Sequence, residues 1–438
     1  MDNGIPVEDQ KMRVKNSGNM AQTRREFLKA TALTAGALAF PTILPSSVFG
    51  AEAPSNRITI GCIGVRNKGI PNMREFMKDA QVVALCDVDA GNLAKANEIA
   101  KVDAKSLYGD FRELISRKDI DAVLISTPDQ WHAIPSIAAM RAGKDVYCEK
   151  PLTLTIAEGR AMADAARQTG RILQTGSQQR SDGRFRRACE LVRSGLIGKT
   201  HTVVVEIPGN NIENPMDWKE EPVPAGFDYN FWLGQAPQAP YTHYRCHYNF
   251  RFILDYSGGQ MTNWGAHYLD IAQWGLGTDD TGPVRIDGKG EFPKAGLFTT
   301  ATKADLTYTY ANGVRIRLKQ PGGSFTRFEG DKGWIQVSRS SIKAEPASIL
   351  EYQLKDGDVR LYESSDHVQN FLDCVKSRKA PIADAEIGHR SATLCHLGNI
   401  AMLLGRPLQW DPKTERFVND AEADKMIRRT MRAPWGGA

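Results

Sequence analysis

Residues 57–69, RITIGCIGVRNKG, are an apolar run broken by glycines, and residues 81–87, QVVALCD, are a second apolar run that ends in an acid. The residues between them have a helical pattern. A strand, a glycine turn, a helix and a second strand make up a nucleotide-binding unit, in which the helix N-terminus faces a pyrophosphate and the acid faces ribose hydroxyls. Asp87 lies about 20 residues beyond the turn, which is the expected interval. Because a carboxylate repels a 2′-phosphate, the pattern favours NAD over NADP as cofactor.

The glycine turn departs from the usual G-x-G-x-x-G signature. Residues 64–69 read GVRNKG and place Arg66 where the second glycine should stand, although that glycine normally lets the backbone approach the pyrophosphate. Two interpretations stay open: Arg66 reaches the phosphates with its side chain, or the loop is displaced. The residues that we predict for the cofactor site at this turn are Gly61, Gly64, Arg66 and Gly69.

Two further apolar runs extend the unit to a sheet. Residues 121–128, DAVLISTP, and residues 144–149, KDVYCE, each follow a helical segment. This alternation predicts an α/β fold with a doubly wound parallel sheet of the Rossmann type. Thr127 and Pro128 then lie at the carboxyl end of a strand, near the cofactor, and His132 opens the next helix. His132 either belongs to the cofactor site or is only a polar residue at a helix start.

The tripeptide Glu149-Lys150-Pro151 follows the last of these runs. A lysine at the carboxyl end of a parallel strand points into the crevice where doubly wound sheets bind ligands, beside a bound nicotinamide. We therefore predict that Glu149 contributes to the cofactor site and that Lys150 contributes to both the cofactor and the substrate site, with proton transfer as its chemistry. The alternative is a lysine that opens a surface helix, since a three-residue match is weakly specific.

In the second half of the chain the pattern becomes that of a mostly antiparallel sheet. Residues 305–310 and 314–318 read as strands, and the residues ANG that join them are a hairpin signal. Helical patterns at residues 366–377 and 388–404 follow. The sequence therefore predicts a second α/β domain with a large open sheet.

A long segment rich in aromatic residues and proline, residues 208–244, interrupts this half. Loops of that length are usually functional. Its aromatic rings could stack on sugar rings, and among them we assign Trp232 to the substrate site. Equally, the rings could merely cover the sheet.

Residues 255–270, DYSGGQMTNWGAHYLD, carry the second set of candidate catalytic side chains. A helix that begins near Gln260 would place Asn263, His267 and Asp270 on one face. A histidine so placed can exchange a proton near neutral pH, while its neighbours fix the ring; the alternative is a purely structural histidine. An amide and well-separated donors make a poor ligand set, so no metal site is predicted.

Residues 23–29, TRREFLK, precede a weakly apolar stretch at residues 30–40 and small residues at 50–53. Paired arginines before such a stretch resemble a twin-arginine export signal, which the export machinery reads and which is not a membrane anchor. We expect a periplasmic or secreted protein that does not span the membrane. The alternative is a surface helix with a chance pair of arginines. Much of the net charge of +5 belongs to this segment, so the charge indicates no nucleic-acid partner.

The length of 438 residues exceeds that of one ordinary domain. The patterns predict three parts: a signal and leader at residues 1–53, a Rossmann domain at residues 54–178 and a second domain at residues 179–438. Seven cysteines without metal-type spacing indicate neither a structural zinc nor a disulfide framework.

Several of these motifs together resemble the Gfo/Idh/MocA oxidoreductases, over almost the whole chain after residue 56: residues 61–87, Thr127-Pro128, Glu149-Lys150-Pro151 and residues 263–267. The resemblance implies nicotinamide-dependent oxidation or reduction of a sugar carbinol. It also implies a C-terminal domain for substrate binding and oligomerisation, whose open sheet makes the contacts of a homodimer or homotetramer.

The resemblance further implies that Lys150 binds the reacting hydroxyl and that His267 is the general acid/base. The family commonly has aspartate where this chain has Asn263. Because an amide cannot ionise, either His267 works unaided or Asp270 or Asp255 compensates.

Three functions stay open at this point. An exported enzyme has no steady supply of free NAD, so we expect tightly held NAD that is regenerated in place. In the first function, a sugar hydroxyl gives up hydride and a second sugar or external acceptor takes it back. In the second, transient oxidation acidifies a neighbouring C–H, a glycosidic bond is eliminated and the product is reduced again, which makes a glycoside hydrolase with catalytic NAD. The third is a sugar-binding protein with a crippled site, for which Arg66 and Asn263 argue.

Overall fold

The N-terminal half of the described chain is built on six parallel strands. The computed structural model describes residues 57–435, and the predicted signal and leader lie outside the described residues. The strands are β1 (Thr59–Ile63), β2 (Gln81–Cys86), β3 (Leu107–Tyr108), β4 (Ala122–Ile125), β5 (Asp145–Cys148) and β6 (Leu173–Thr175). Their order in the sheet is β3-β2-β1-β4-β5-β6. The predicted doubly wound parallel sheet is confirmed.

The inner strands of this sheet are apolar along their whole length because helices cover both faces. All four residues of β4 and all four of β5 are buried, as expected of strands in a covered parallel sheet. The helices of this half are α1 (Gly69–Asp79), α2 (Ala90–Ala100), α3 (Phe111–Ser116), α4 (Ala133–Arg141) and α5 (Ile156–Thr169).

A nine-stranded sheet forms the second half. Its strands are β7 (Thr200–Glu206), β8 (Arg285–Glu291), β9 (Lys303–Thr309), β10 (Arg315–Gln320), β11 (Phe325–Gly330), β12 (Gly333–Val337), β13 (Ile342–Glu345), β14 (Leu408–Asp411) and β15 (Arg416–Phe417). The order is β13-β12-β11-β7-β10-β9-β8-β14-β15, and β7 pairs with β10 in parallel while the other described pairs are antiparallel. The prediction of a mostly antiparallel sheet is confirmed.

One face of the large sheet is buried and the other faces outward. Along β10 exposed and buried residues alternate strictly, with Ile316 and Leu318 inside and Arg315 and Arg317 outside. Three of the helices of this half pack against the sheet: Gly183–Arg193, Ala266–Leu276 and Ala385–Leu404. The helices of this half are α6 (Gly183–Arg193), α7 (Tyr229–Leu233), α8 (Ala266–Leu276), α9 (His367–Ser377), α10 (Ala385–Leu404) and α11 (Ala421–Lys425).

The predicted boundary between residues 178 and 179 stays a prediction. Over residues 57–435, no helix combines the length and the apolar character needed to cross a bilayer.

Candidate functional site

A cavity of about 460 Å³ lies at the carboxyl ends of the parallel strands. The strand order reverses between β1 and β4, which is the switch point where open α/β sheets bind ligands. Residues of the second half close the other side of the cavity. The predicted site residues in its lining are Gly64, Arg66, Asp87, Thr127, Pro128, His132, Glu149, Lys150, Trp232, Asn263 and His267.

The turn after β1 is as tight as a pyrophosphate site requires. Gly64 has a φ of +80°, and a Cβ there would lie 2.8 Å from the backbone nitrogen of Thr127. A Cβ on Gly69 would lie 2.1 Å from the carbonyl oxygen of Gly64. Gly64 therefore keeps the strand ends close together, and Gly69 shapes the turn from outside the cavity lining.

Gly61 is a correction to the predicted cofactor site. It lies within β1 and outside the cavity lining. A Cβ on Gly61 would lie 2.6 Å from Leu114 Cδ2, so its missing side chain makes room for α3 against the sheet.

Arg66 lines the cavity together with Asn67 and Lys68, directly before the N-terminus of α1. The loop is therefore not displaced from the cavity. Two cationic side chains and a helix N-terminus form a suitable environment for the phosphates of a dinucleotide.

Asp87 follows β2 and lines the opposite end of the cavity. Its two carboxylate oxygens accept hydrogen bonds from the backbone nitrogens of Val65, at 2.9 Å, and Asp89, at 3.0 Å. Burial raises the pKa of Asp87 to about 6. Each oxygen keeps a free lone pair, so the carboxylate can still accept hydrogen bonds from ribose hydroxyls.

A segment of the second half covers this end of the cavity, which the sequence did not reveal. The Ala90 nitrogen donates to the Gly226 carbonyl at 2.9 Å, and the Asp228 nitrogen donates to the Val88 carbonyl at 2.9 Å. Phe227 lies between these bonds and lines the cavity with His247. The aromatic segment thus packs over the residues that follow β2.

His132 joins two of the loops that follow the strands. Its Nδ1 contacts the Pro151 carbonyl oxygen at 2.7 Å and its Nε2 contacts the Thr127 carbonyl oxygen at 3.0 Å. Thr127 Oγ1 is buried and has no hydrogen-bond partner among residues 57–435. Since buried polar atoms usually have partners, this hydroxyl fits a contact with a bound cofactor.

Glu149 is buried and held by neutral donors. It accepts hydrogen bonds from Asn72 Nδ2 at 2.8 Å and from Gln178 Nε2 at 3.2 Å. A Cβ on Gly176 would lie 2.9 Å from this carboxylate, so the backbone also closes around it. Glu149 thereby fixes the strand end from which Lys150 projects.

Lys150 reaches across the cavity to the second half of the chain. Its Nζ donates to the backbone oxygen and to Oδ1 of Asn263, both at 3.0 Å. Asn263 Nδ2 in turn donates to Gln260 Oε1 at 3.0 Å, which fixes the orientation of the amide. Burial, with a smaller contribution from the charge of Arg251, lowers the pKa of Lys150 to about 8 despite the opposing charge of Glu149.

His267 faces the same cavity from the first turn of α8. Its side chain is buried, and Nδ1 has no hydrogen-bond partner within the described part of the chain. Burial, and next the charge of Lys150, lowers the pKa of His267 well below its usual value. The imidazole is therefore neutral at pH 7 and able to accept a proton.

Asp270 does not line the cavity that His267 faces, contrary to the prediction. A π-helical turn at Met261–Gly265 precedes α8 and changes the register between Asn263 and His267, whereas His267 and Asp270 both lie within the regular helix α8. Asp270 accepts hydrogen bonds from Arg180 Nε at 2.9 Å and Ser391 Oγ at 2.7 Å, outside the cavity lining. Asp255 is exposed and also outside the lining, so neither carboxylate supports the imidazole.

Trp232 lines the cavity but is largely buried by aromatic neighbours. Its ring centroid lies 5.1 Å from that of Tyr256, and its backbone oxygen accepts a hydrogen bond from Trp131 Nε1 at 2.9 Å. Its stacking on a sugar ring stays a prediction.

The sequence missed three further side chains at the substrate end of the cavity. Arg251, Trp264 and Arg339 belong to the lining. Trp264 is next to Asn263 in sequence and could have been included, whereas the turn that carries Arg339 has no local signal. No group of three or more histidine, cysteine or acidic residues suited to a metal is present in residues 57–435.

Two family models match the chain. One is described as oxidoreductase family, NAD-binding Rossmann fold, and matches residues 58–177. The other is described as oxidoreductase family, C-terminal alpha/beta domain, and matches residues 184–437. The first half is therefore an NAD-binding Rossmann domain.

Curated relatives include dehydrogenases and a glycosidase. A myo-inositol 2-dehydrogenase of Thermotoga maritima is 26% identical over 76% of this chain and 93% of its own length. An inositol 2-dehydrogenase of Salmonella paratyphi B is 33% identical over 32% of this chain, which spans only 42% of that relative. An alpha-N-acetylgalactosaminidase of Shewanella oneidensis is 32% identical over 40% of this chain and 44% of its own length.

Among solved structures, the fold is similar to that of the aldose-aldose oxidoreductase of Caulobacter crescentus, complexed with glycerol. The TM-score is 0.62 at 20% identity, over 81% of this chain and 99% of that one. The WlbA dehydrogenase of Bordetella pertussis, in complex with NADH and UDP-GlcNAcA, has a TM-score of 0.60 at 17% identity over 81% of this chain and 99% of that one.

Proposed function

Because this chain belongs to the Gfo/Idh/MocA oxidoreductase family, we propose that it transfers hydride between tightly bound NAD and a secondary hydroxyl of a sugar or glycoside. The observation that carries the proposal is that Lys150 and His267 line one cavity at the carboxyl end of the NAD-binding sheet. The inositol dehydrogenase relatives, which act on a polyhydroxylated ring, support this class of substrate.

The residues around the cavity fit NAD. Gly64 and Arg66 would hold the pyrophosphate, Asp87 the ribose hydroxyls, and the unpartnered Thr127 hydroxyl a polar group of the nicotinamide half. The carboxylate of Asp87 favours NAD over NADP because it would repel a 2′-phosphate. When bound, NAD supplies the acceptor for hydride, and the protein supplies orientation and charge.

Lys150 and His267 divide the proton chemistry. The Lys150 ammonium has three N–H donors and directs hydrogen bonds at two oxygens of Asn263, which leaves one donor for a substrate hydroxyl. His267 is neutral at pH 7 and takes the hydroxyl proton. The nearby ammonium stabilises the alkoxide as it forms, and the held geometry supplies much of the acceleration.

The test begins with the nucleotide. Purified protein is denatured, and the released nucleotide is identified by mass. Intact protein is then mixed with single sugars, and reduction of the bound cofactor is followed by its absorbance. We expect NAD and sugar-dependent reduction. If the purified protein neither carries nor binds a nicotinamide cofactor, the proposal fails and a sugar-binding protein becomes the better interpretation.

A second candidate is glycoside hydrolysis by transient oxidation and elimination. It is favoured by the alpha-N-acetylgalactosaminidase relative, which is 32% identical over 200 residues. The two candidates differ in their products. Release of an aglycone from a chromogenic glycoside without net change in cofactor redox state supports the hydrolase, and accumulation of oxidised sugar supports the oxidoreductase.

We also propose export by the twin-arginine machinery to the periplasm or cell exterior, on the basis of the pair Arg24-Arg25 before an apolar stretch. Changing both arginines to lysine should retain the protein in the cytoplasm, as measured by cell fractionation. A homodimer or homotetramer, expected from the open sheet, is tested by sedimentation of the purified protein.

A further inference from the structure

Two arginines extend the positive charge of Lys150 at the substrate end of the cavity. Arg251 belongs to the short helical turn Asn249–Phe252, and Arg339 lies in the turn between β12 and β13. Both line the cavity, and the charge of each lowers the pKa of Lys150. Two separate parts of the second half therefore bring a guanidinium close to the catalytic lysine.

Each guanidinium is held in place by aromatic rings. The Arg339 guanidinium carbon lies 4.7 Å from the ring centroid of Trp264. The Arg251 guanidinium carbon lies 4.6 Å from the centroid of Tyr248 and 4.7 Å from that of Phe250. Such stacking orients a planar guanidinium while its N–H groups stay free to bind.

Most of these N–H groups have no acceptor in the described part of the chain. Arg339 donates only from Nε, to Gln179 Oε1 at 3.2 Å, and Arg251 donates only from Nη1, to the Tyr248 carbonyl at 2.9 Å. A guanidinium has five donors, so the two terminal nitrogens of Arg339 and two nitrogens of Arg251 are available.

The two arginines have no carboxylate partner in the described part of the chain. Neither makes an ion pair with a residue between 57 and 435, and the nearby acids Asp129 and Glu149 are 6% and 5% exposed and have neutral partners. Asp129 accepts a hydrogen bond from Ser257 Oγ at 2.5 Å, and Glu149 accepts from Asn72 Nδ2 at 2.8 Å. The cavity therefore presents oriented guanidinium donors without an ion-pair partner among residues 57–435 to whatever binds beside Lys150, although Glu149 and Asp129 offset part of the positive charge there.

We propose that Arg251 and Arg339 bind an anionic group of the substrate, so that the substrate is an acidic sugar or its glycoside. The inference rests on the proposed function and narrows its substrate class. A carboxylate or a phosphate presents two oxygens to the fork of a guanidinium. The same pair of N–H···O bonds therefore recognises either group. A neutral sugar would leave these donors without an anion.

The experiment compares matched sugars by calorimetry on the NAD-loaded protein. The pairs are glucuronate against glucose and galacturonate against galactose, with the corresponding hexose phosphates as a third arm that separates phosphate from carboxylate. We expect an acid to bind at least about 10-fold more tightly than its neutral partner. Arg251→Gln and Arg339→Gln should each weaken binding of that acid about 10- to 100-fold and weaken binding of the neutral sugar far less, so that the acid-to-neutral ratio falls.

Two matched variants serve as controls. Arg339→Lys keeps the charge but loses the planar fork and should recover only part of the affinity. Arg74→Gln removes an exposed arginine from α1, outside the cavity lining, and should change nothing. Thermal unfolding of each variant verifies that it folds.

Equal affinity for acidic and neutral sugars would overturn the inference. The inference would also fail if the glutamine variants kept the ratio of acid to neutral sugar affinity and changed only the pH dependence of binding. The arginines would then act only through the pKa of Lys150. Reduction of bound NAD by neutral sugars alone would refute the acidic substrate and leave the proposed function standing. Absence of reduction by any sugar would count against the proposed function itself.

Discussion

The lysine and the amide at the centre of the site act as one unit. Lys150 Nζ donates to both oxygens of Asn263, and Gln260 holds that amide in place. An aspartate at position 263 would face the ammonium with a full negative charge and would raise its pKa. The neutral amide adds no such charge. Burial therefore still lowers the pKa of Lys150, to about 8. A group with such a pKa can both give and take a proton near neutral pH.

Asn263→Asp should move the alkaline limb of the pH profile upward. Activity that needs the Lys150 ammonium is lost as the pH rises through the pKa of about 8. A carboxylate at this distance should raise that pKa by about 1 to 3 units. The measurement is kcat/KM against pH. Asn312→Asp adds the same charge in the exposed turn between β9 and β10 and should leave the alkaline limb where it is. If the limb does not move in either variant, it does not report the ionisation of Lys150.

His267→Ala should reduce turnover by about 10² to 10⁴ if the imidazole is the general acid/base. The cavity and the cofactor contacts of the Rossmann half remain, so the NAD content of the purified variant should be unchanged. His201→Ala, at an exposed position in β7, is the control. Near-normal turnover in the His267 variant would remove this side chain from the mechanism.

At the scale of elements, the sequence predicted regular structure well and missed irregular structure. The apolar runs at β4 and β5 and the hairpin of β9 and β10 follow from periodicity and turn residues, which are local signals. The π-helical turn at Met261–Gly265 has no such signal. The buried pairing of Asp270 with Arg180, 90 residues earlier in the chain, has none either, and it holds that carboxylate outside the cavity lining.

The substrate end of the site was the hardest part to predict. Arg251 and Arg339 lie far apart in sequence and meet Lys150 only through the fold of the second half. Glu149 lines the cavity and stays a predicted cofactor residue, but no signal in the sequence indicates that its bonds to Asn72 and Gln178 also support the neighbouring Lys150. Such roles depend on tertiary contacts that no local pattern encodes.

Gly64→Ala should abolish retention of NAD. The new Cβ would lie 2.8 Å from the Thr127 nitrogen. The backbone of the alanine would also have to adopt a φ of +80°, which residues with a side chain rarely do. The strand ends would have to separate and the turn would lose its shape. Gly143→Ala is a matched control, because its φ is +82° but no atom lies within 4 Å of the new Cβ. Nucleotide released on denaturation should fall in the first variant only; equal retention in both would show that the turn tolerates a side chain.

At the scale of the whole molecule, late parts of the chain complete the early half. Helix α9 covers one face of the parallel sheet, where Phe371 packs against Phe76 and Tyr147 with centroid distances of 5.8 Å. Trp435 packs against Trp131 at 4.8 Å. The Rossmann half therefore depends on residues near the end of the chain, and truncation there would expose its core.

A half-buried ion network joins α5 of the first half to α10 and to Glu415, which lies between β14 and β15. Arg160 donates to Glu386 at 2.7 Å and to Glu415 at 2.9 Å. Burial alone would raise the pKa of Glu386, but the bonds and charge of Arg160 lower it to about 2. Burial would also raise the pKa of Glu415, but hydrogen bonds from His389 and then Arg160 keep it well below its usual value.

Arg160→Gln should lower the free energy of unfolding by about 1 to 3 kcal/mol at neutral pH, since it leaves two half-buried carboxylates with fewer partners. Carboxylates with depressed pKa values stabilise the fold above their ordinary pKa of 4.5, and this stabilisation is lost as the pH falls toward about 2. The difference between variant and parent in urea unfolding should therefore shrink over that window. Arg167→Gln, on the same helix but more exposed, should cost little at any pH. Equal losses in both variants, or a difference that does not depend on pH, would show that the network does not join the two halves.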